Sequence, residues 1–408
     1  MDIFSNVFSQ FFNPKRIYLD YAAATPLRKE VMKAMSLLDR EVSANASAIH
    51  KEGQKAKVAL ETARQNLATS LRVRPDDVMF TSGGTESNNL ALKGAVLAMK
   101  KGGVRIEEIE IITLATEHPS VLNTLKELEA MGVKLFYAPI DADGLVDLRE
   151  FKKLLSPRTR LVSIAYANSE TGVVQDLTGI GRTIKAFEKE NGLMALFHTD
   201  ASQAPLWLPC ALDALFVDMM TLDSGKCRGP KGVGVLVARP RAKILAISSG
   251  GSQEKGLRPG TEPVSLIVGA SLSITLAQQE YKELGARVKK MRDRWWHELQ
   301  SIKSIVLNGS LTNRLPNNLN ISIPGLDTEF AVVSLDTAGI AASTKSACSG
   351  AGGGYSHVVL KMTGDINRAS STIRFTLGPD TTRRELRETT KALKKHIELM
   401  HEIAFDLK

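Results

Sequence analysis

The sequence predicts an α/β fold: a mostly parallel sheet covered by helices on both faces, followed by a smaller α+β domain. Three observations predict it. Between Val78 and Val237, short apolar runs bounded by turn residues alternate with segments of helical periodicity, the pattern of parallel strands joined by crossover helices. Thr85, His118, Asn168 with Ser169, Asp200 with Gln203, and Lys226 each stand just past one of those runs, at the carboxyl ends of strands, where such sheets bind ligands. From about Thr261 the texture changes to long helical patterns with few strands. A chain of 408 residues exceeds one usual core. The expected division is residues 29–276 for the large domain and 1–28 plus 277–408 for the small one.

The elements follow in order. Residues 1–13 carry Phe4, Val7, Phe8, Phe11 and Phe12 at roughly helical spacing, an amphipathic extension without the marks of a signal or transit peptide. Ile17 to Tyr21 is a short strand, Val31, Met35, Leu38 and Val42 mark a helix, and Leu60, Ala63, Leu67 and Leu71 mark another. Val78 to Phe80 is a strand, and Thr81 to Asn89 leads into a helix reaching about Met99. Further strands are read at 109–114, 133–137, 161–166 and 196–199, with helices at 119–131 and 180–187. The apolar runs Leu215–Met220 and Val233–Val237 read as buried strands flanking a turn that carries Lys226. Helical patterns at 262–304, a strand at 318–323, a helix at 327–336, a strand at 372–376 and a helix from about Thr382 complete the chain.

Composition narrows the function. Hydrophobic content of 43% and charged content of 24% describe an ordinary globular protein, and no apolar run is long enough to span a bilayer. The net charge of +9 is scattered among acids rather than gathered with aromatics, so neither direct nucleic-acid binding nor membrane association is expected. Cys210, Cys227 and Cys348 are far apart and form neither a zinc pattern nor a disulfide framework, which fits a reducing, cytoplasmic setting.

The candidate site residues make one chemistry together. A lysine at the end of a buried strand can lose its proton and become a nucleophile, so Lys226 is assigned a Schiff base with pyridoxal 5'-phosphate (PLP), although a lone lysine is usually a solvated charge. Gly83, Gly84 and Thr85, between a strand and a helix, suit an anion; a tight turn with Thr85 as helix cap is the structural alternative. Asp200 can hold a protonated ring nitrogen, His118 can stack on the ring and move protons, and Gln203 with Asn168 or Ser169 can bond the ring hydroxyl. Each has its plain alternative: a helix cap, a core histidine, a turn residue. Four glycines within Gly350 to Gly354 make a mobile arm with Cys348 at its root, a candidate thiolate nucleophile. Cys210 and Cys227 read as packing thiols.

These segments resemble the cysteine desulfurases, PLP enzymes of the class V aminotransferase fold. The likeness runs from Tyr18 to the C-terminal helix through Tyr18–Ala22, Thr81–Asn89, Glu117-His118, Asn168–Gln175, Asp200–Gln203, Gly229–Gly232, Arg258–Thr261, Ser346–Ser349 and Ile373–Phe375. It implies the type I PLP-dependent transferase fold with a seven-stranded sheet. It implies Lys226 as the Schiff-base lysine, Asp200 on the ring nitrogen, His118 on the ring, Gln203 on its hydroxyl, Gly84 and Thr85 on the phosphate, and Arg374 on the carboxylate of L-cysteine. Asn168 and Ser169 would face both cofactor and substrate. The family is a homodimer, and Thr261 would reach the phosphate of the partner. Cys348 would take sulfur as a persulfide, leaving L-alanine, and pass it to an acceptor in iron–sulfur assembly or tRNA thiolation, as in group I.

The sequence departs from the family at Ser169, where a second asparagine is usual, in the glycine-rich tract Gly350–Gly354, and at two positions beside the lysine. Asp223 and Gly225 stand where serine and histidine are usual. An ionised Asp223 would repel the phosphate unless it turned away or paired with a cation such as Arg228, and Ser224 would then supply the hydroxyl. Two other readings follow: a catalytically degenerate member that binds a scaffold, or a lyase for selenocysteine or cysteine sulfinate.

Overall fold

In a computed structural model, described over residues 16–302, 304–344 and 354–406, the chain opens with β1 (Ile17–Tyr18) and the helices α1 (Lys29–Glu41) and α2 (Lys51–Leu71). The large sheet takes β2 (Val78–Thr81), β3 (Glu110–Thr113), β4 (Lys134–Tyr137), β5 (Thr159–Ser163), β6 (Leu196–Asp200), β7 (Met219–Asp223) and β8 (Gly234–Ala238). Their order is β2, β8, β7, β6, β5, β3, β4. All neighbours are parallel except around β8, which runs antiparallel to both β2 and β7. The helices α3 (Gly84–Lys101), α4 (Pro119–Ala130), α5 (Leu148–Leu154), α6 (Leu177–Asn191) and the single turn α7 (Leu212–Leu215) connect the strands.

The strands are buried because both faces are covered. Ile111, Leu161, Leu196, Met219 and Leu236 enter one apolar core, while Ile112, Val162, Phe197, Met220 and Val235 enter the other. That is the two-residue alternation of a strand with an apolar layer on each side.

The run Leu215–Met220 departs from the single strand expected of it. Its first residues close α7, where Phe216 adopts a left-handed conformation (φ 58°), and the strand itself is displaced to Met219–Asp223. Apolar character alone does not separate a buried helical turn from a strand.

α8 (Val264–Leu299) is 36 residues long, about 54 Å at 1.5 Å per residue. It packs on α1 and α2, then continues without a break past residue 276 to meet the C-terminal body. There β9 (Val306–Leu307), β10 (Asn318–Ser322) and β12 (Thr372–Thr376) form an antiparallel sheet in the order β12, β10, β9. Trp295 of α8 meets Phe375 of β12 edge-on at 5.2 Å. β11 (Ile340–Ala341) pairs in parallel with β1, and Asp20 bridges to Thr376, so the N-terminal segment completes this body. The helices here are α9 (Thr328–Thr337), α10 (His357–Thr363), α11 (Ile366–Ser370) and α12 (Arg383–Asp406). The expected N-terminal amphipathic stretch at residues 1–13, and Cys348 with its glycine-rich arm, lie outside the described residues.

Candidate active site

The carboxyl ends of β2, β3, β5, β6 and β7 open onto one cavity of about 210 Å³. Gly84, Thr85, His118, Asn168, Ser169, Asp200, Gln203 and Lys226 all line it, together with Arg374 from β12 and Ala22 and Ala23 from the N-terminal segment. The sequence places these residues far apart, and the sheet brings them together.

Lys226 ends a one-turn helix, Ser224–Lys226, that follows β7. Its ammonium donates to the Ala22 carbonyl at 3.0 Å and to that of Ala23. Gln203 Nε2 donates to the same Ala22 carbonyl at 3.0 Å. Two residues from the start of the chain therefore orient both side chains.

Asp200 is fixed at both oxygens: Oδ1 accepts the Ser202 N–H at 2.9 Å and Oδ2 accepts Asn88 Nδ2 at 2.8 Å. Asn88 Nδ2 also reaches Ser120 Oγ at 2.9 Å, and that hydroxyl bonds His118 Nδ1 at 2.7 Å. A polar relay thus joins the Asp200 carboxylate to the His118 ring. His118 caps α4 through Nδ1, which accepts the Ser120 N–H. Burial lowers its pKa, the nearby Lys226 acting the same way and Asp200 opposing, so its neutral imidazole is favoured.

Two layers of buried titratable groups support this floor. Beneath Asp200, His198 bonds Ser163 at 2.9 Å and Thr221 at 3.1 Å, and burial pushes its pKa down to about 4. Beside His118, Glu117 Oε1 accepts the Ala165 N–H at 2.6 Å while Oε2 is buried without a hydrogen-bond partner. Burial raises this carboxyl to about 8.

Several expected contacts are differently committed. Asn168 Oδ1 accepts from the N–H groups of Glu170 and Thr171, and its Nδ2 donates to the Thr116 carbonyl. Its amide therefore shapes the loop after β5. Ser169 offers its carbonyl to Arg374 Nη1 at 2.9 Å, and Arg374 Nη2 reaches Asp20 Oδ1 at 2.7 Å. The buried Arg374 Nε has no protein partner.

Ser224, expected to supply a hydroxyl to the phosphate, does not line the cavity. It is fully buried, and its hydroxyl is directed to the carbonyls of Pro230 and Val233. Thr261 is exposed and also off this cavity. Arg228, the cation named as one possible partner for Asp223, reaches Asp380 at 3.4 Å. Instead Asp223 lines the cavity and accepts the Gly84 N–H at 3.2 Å and the Gly225 N–H at 2.8 Å.

Sequence reasoning assigned no role to Asn88, Ser120 or Ser202, which also line the cavity. Asn88 follows Gly84 by four residues, one helical turn, which puts both on one face of α3 and was a readable signal. Gly84 lies in close approach to this wall: a β-carbon there would stand 2.9 Å from Ser202 Oγ, which would have to turn aside. The Cys210 and Cys227 thiols are buried, and burial raises both pKa values, so neither has the character of a thiolate.

A lysine, a carboxylate and a histidine at the ends of parallel strands, beside a helix N-terminus, are the parts of a PLP enzyme of the class V aminotransferase type, and the chain belongs to that family, whose model matches residues 17–388. Its relatives narrow this to the PLP-dependent cysteine desulfurases. The chain is 39% identical over 391 residues to a cysteine desulfurase IscS of Dictyoglomus turgidum, covering 96% of each chain. It is also 39% identical to one of Haemophilus influenzae, over 95% of this chain and 94% of the relative. Among solved structures, a NifS-like protein superposes with a TM-score of 0.87 at 33% identity, covering 94% of this chain and 100% of that one. The X-ray structure of a NifS-like protein from Rickettsia africae gives 0.82 at 30% identity, with the same coverage.

Proposed function

We propose that the cavity holds PLP and L-cysteine through the residues gathered there. Lys226 would anchor the aldehyde, Asp200 the ring nitrogen, Gln203 the ring hydroxyl, and Thr85 with the α3 end the phosphate. The observation that carries this is the convergence of Lys226, Asp200 and His118 on one cavity. The donor set fits the group: an amine, a carboxylate held at both oxygens, and a helix N-terminus for an anion. Asp223, an acid beside that helix end, is mismatched to a phosphate.

When bound, the pyridine ring supplies an electron sink. Asp200, held by Asn88 and Ser202, would keep the ring nitrogen protonated. Neutral His118 offers Nε2 for proton transfer, because Nδ1 is held at Ser120. Arg374, whose fork suits a carboxylate, would orient the substrate. The Cys348 thiolate would then take the sulfur: the carbon–sulfur bond of cysteine breaks, a sulfur–sulfur bond forms on Cys348, and L-alanine leaves.

The persulfide would pass to an acceptor protein for iron–sulfur cluster assembly or tRNA thiolation, in the cytoplasm. The name IscS borne by the relatives supports this route. The working unit would be a homodimer in which exposed Thr261 serves the other subunit's phosphate site, with a large domain of residues 29–276 and a small one of 1–28 plus 277–408. Among the described residues no helix is long and apolar enough to cross a membrane.

The test pairs spectroscopy with chemistry. Added PLP should give a visible absorbance band in the wild type that is lost in Lys226→Ala. Alanine and sulfide should form from cysteine under reductant, and Cys348→Ala should abolish them. A second reading, a scaffold-binding member without turnover, is favoured by the acidic Asp223 in the cavity and predicts no product from the wild type.

A further inference from the structure

We propose that Asp223 is a built-in anion at the α3 N-terminus that selects against the phosphate of PLP and narrows the pocket's preference for the phosphorylated cofactor. This rests on the reading of the cavity as the PLP site. The first N–H of a helix, with the positive end of its dipole, is where an anionic tail would be received. Here that N–H, from Gly84, already donates to Asp223 Oδ2 at 3.2 Å, while Oδ1 holds the Gly225 N–H at 2.8 Å. The carboxylate also stands over Gly84 beside Ser202: a β-carbon on Gly84 would lie 3.4 Å from Asp223 Oδ2 and 2.9 Å from Ser202 Oγ. Thr85, Ser202 and Asp223 therefore share one end of the cavity.

The other end is built differently. Asn88, one turn further along α3 and about 6 Å from Gly84 along the helix axis, bonds Asp200, the ring-nitrogen partner. Asp223 thus bears on the anionic tail rather than on the ring. The cation that would have neutralised it, Arg228, is turned to Asp380.

A phosphate entering this end meets a like charge and loses one backbone donor, whereas an unphosphorylated aldehyde meets neither cost. The pocket therefore gains less from the phosphate than its helix end and hydroxyls would otherwise give.

The experiment is a binding titration of PLP and of pyridoxal, followed by absorbance, on wild type, Asp223→Asn and Asp223→Ser, with Lys226→Ala as the site control. Asp223→Asn keeps an oxygen for the Gly225 N–H, and far-UV circular dichroism verifies that each variant is folded. Both Asp223 variants should bind PLP at least ~10-fold tighter, with pyridoxal changed much less. A Lys226-dependent band with PLP binding unchanged or weakened, or with PLP and pyridoxal shifted equally, would overturn the role of Asp223 alone. Failure of every folded protein to take up either aldehyde would overturn the cofactor site and this inference with it.

Discussion

Asn88 holds Asp200 from the side, its amide nitrogen 2.8 Å from Oδ2, and the same nitrogen reaches Ser120 at 2.9 Å. One buried side chain thereby ties α3, β6 and the start of α4 to a common point.

Asn88→Ala removes a hydrogen bond to a charged acceptor and is expected to destabilise the apoprotein by ~1.5–3 kcal/mol. Urea unfolding should show a lower midpoint at unchanged slope. In the same variant Asp200 keeps only the Ser202 N–H on Oδ1, so PLP affinity should fall as well. A variant with wild-type stability and affinity would contradict the relay.

Glu117 gives a pH signature. Its carboxyl rises from 4.5 in the unfolded chain to about 8 in the fold through burial. The fold therefore binds the proton more tightly, and this contribution is fully present below about pH 4.5 and lost as pH rises through about 8. Glu117→Gln keeps an acceptor for the Ala165 N–H and removes the titration. Its urea midpoint relative to wild type should increase between pH 5 and pH 8.5. A parallel shift at both values would contradict the prediction.

Arg64 and Glu254 form a buried two-pronged pair at 2.9 and 2.7 Å, and Glu254 also accepts the Phe80 N–H. Deleting one partner leaves the other charge buried. Glu254→Ala should therefore cost ~3–5 kcal/mol, read by denaturant unfolding. Glu61→Ala, whose carboxylate meets Arg64 from an exposed position, should cost under ~1 kcal/mol.

Arg374 divides its fork between Asp20 and the Ser169 carbonyl. Arg374→Lys retains the charge but not the planar pair of donors. The KM for L-cysteine in an alanine-release assay should rise ~10-fold or more, with PLP affinity nearly unchanged. A fall in PLP affinity with KM preserved would move Arg374 out of the substrate site.

The sheet was legible because parallel strands buried on both faces read as uninterrupted apolar runs, and Ile111-Ile112 or Met219-Met220 belong to opposite cores. The cluster of Thr85, His118, Asp200 and Lys226 was legible because each stands at the carboxyl end of its strand or a few residues past it. What escaped was direction and pairing at a distance. The Ser224 hydroxyl turns under its own loop, a matter of rotamer that no residue pattern carries. The Asn88–Asp200 contact joins residues 112 apart, and the Arg374–Asp20 contact spans 354. The antiparallel sense of β8 depends on the short return from β7, which apolar content does not encode.

The carbonyls that orient Lys226 and Gln203 belong to Ala22 and Ala23, and the segment bearing them is held by β11 and β12. A nascent chain on the ribosome can thus build most of the sheet while the cavity at its strand ends still lacks a wall. Coenzyme capture is expected to await release of residues beyond Thr376, when the two extremities of the polypeptide meet.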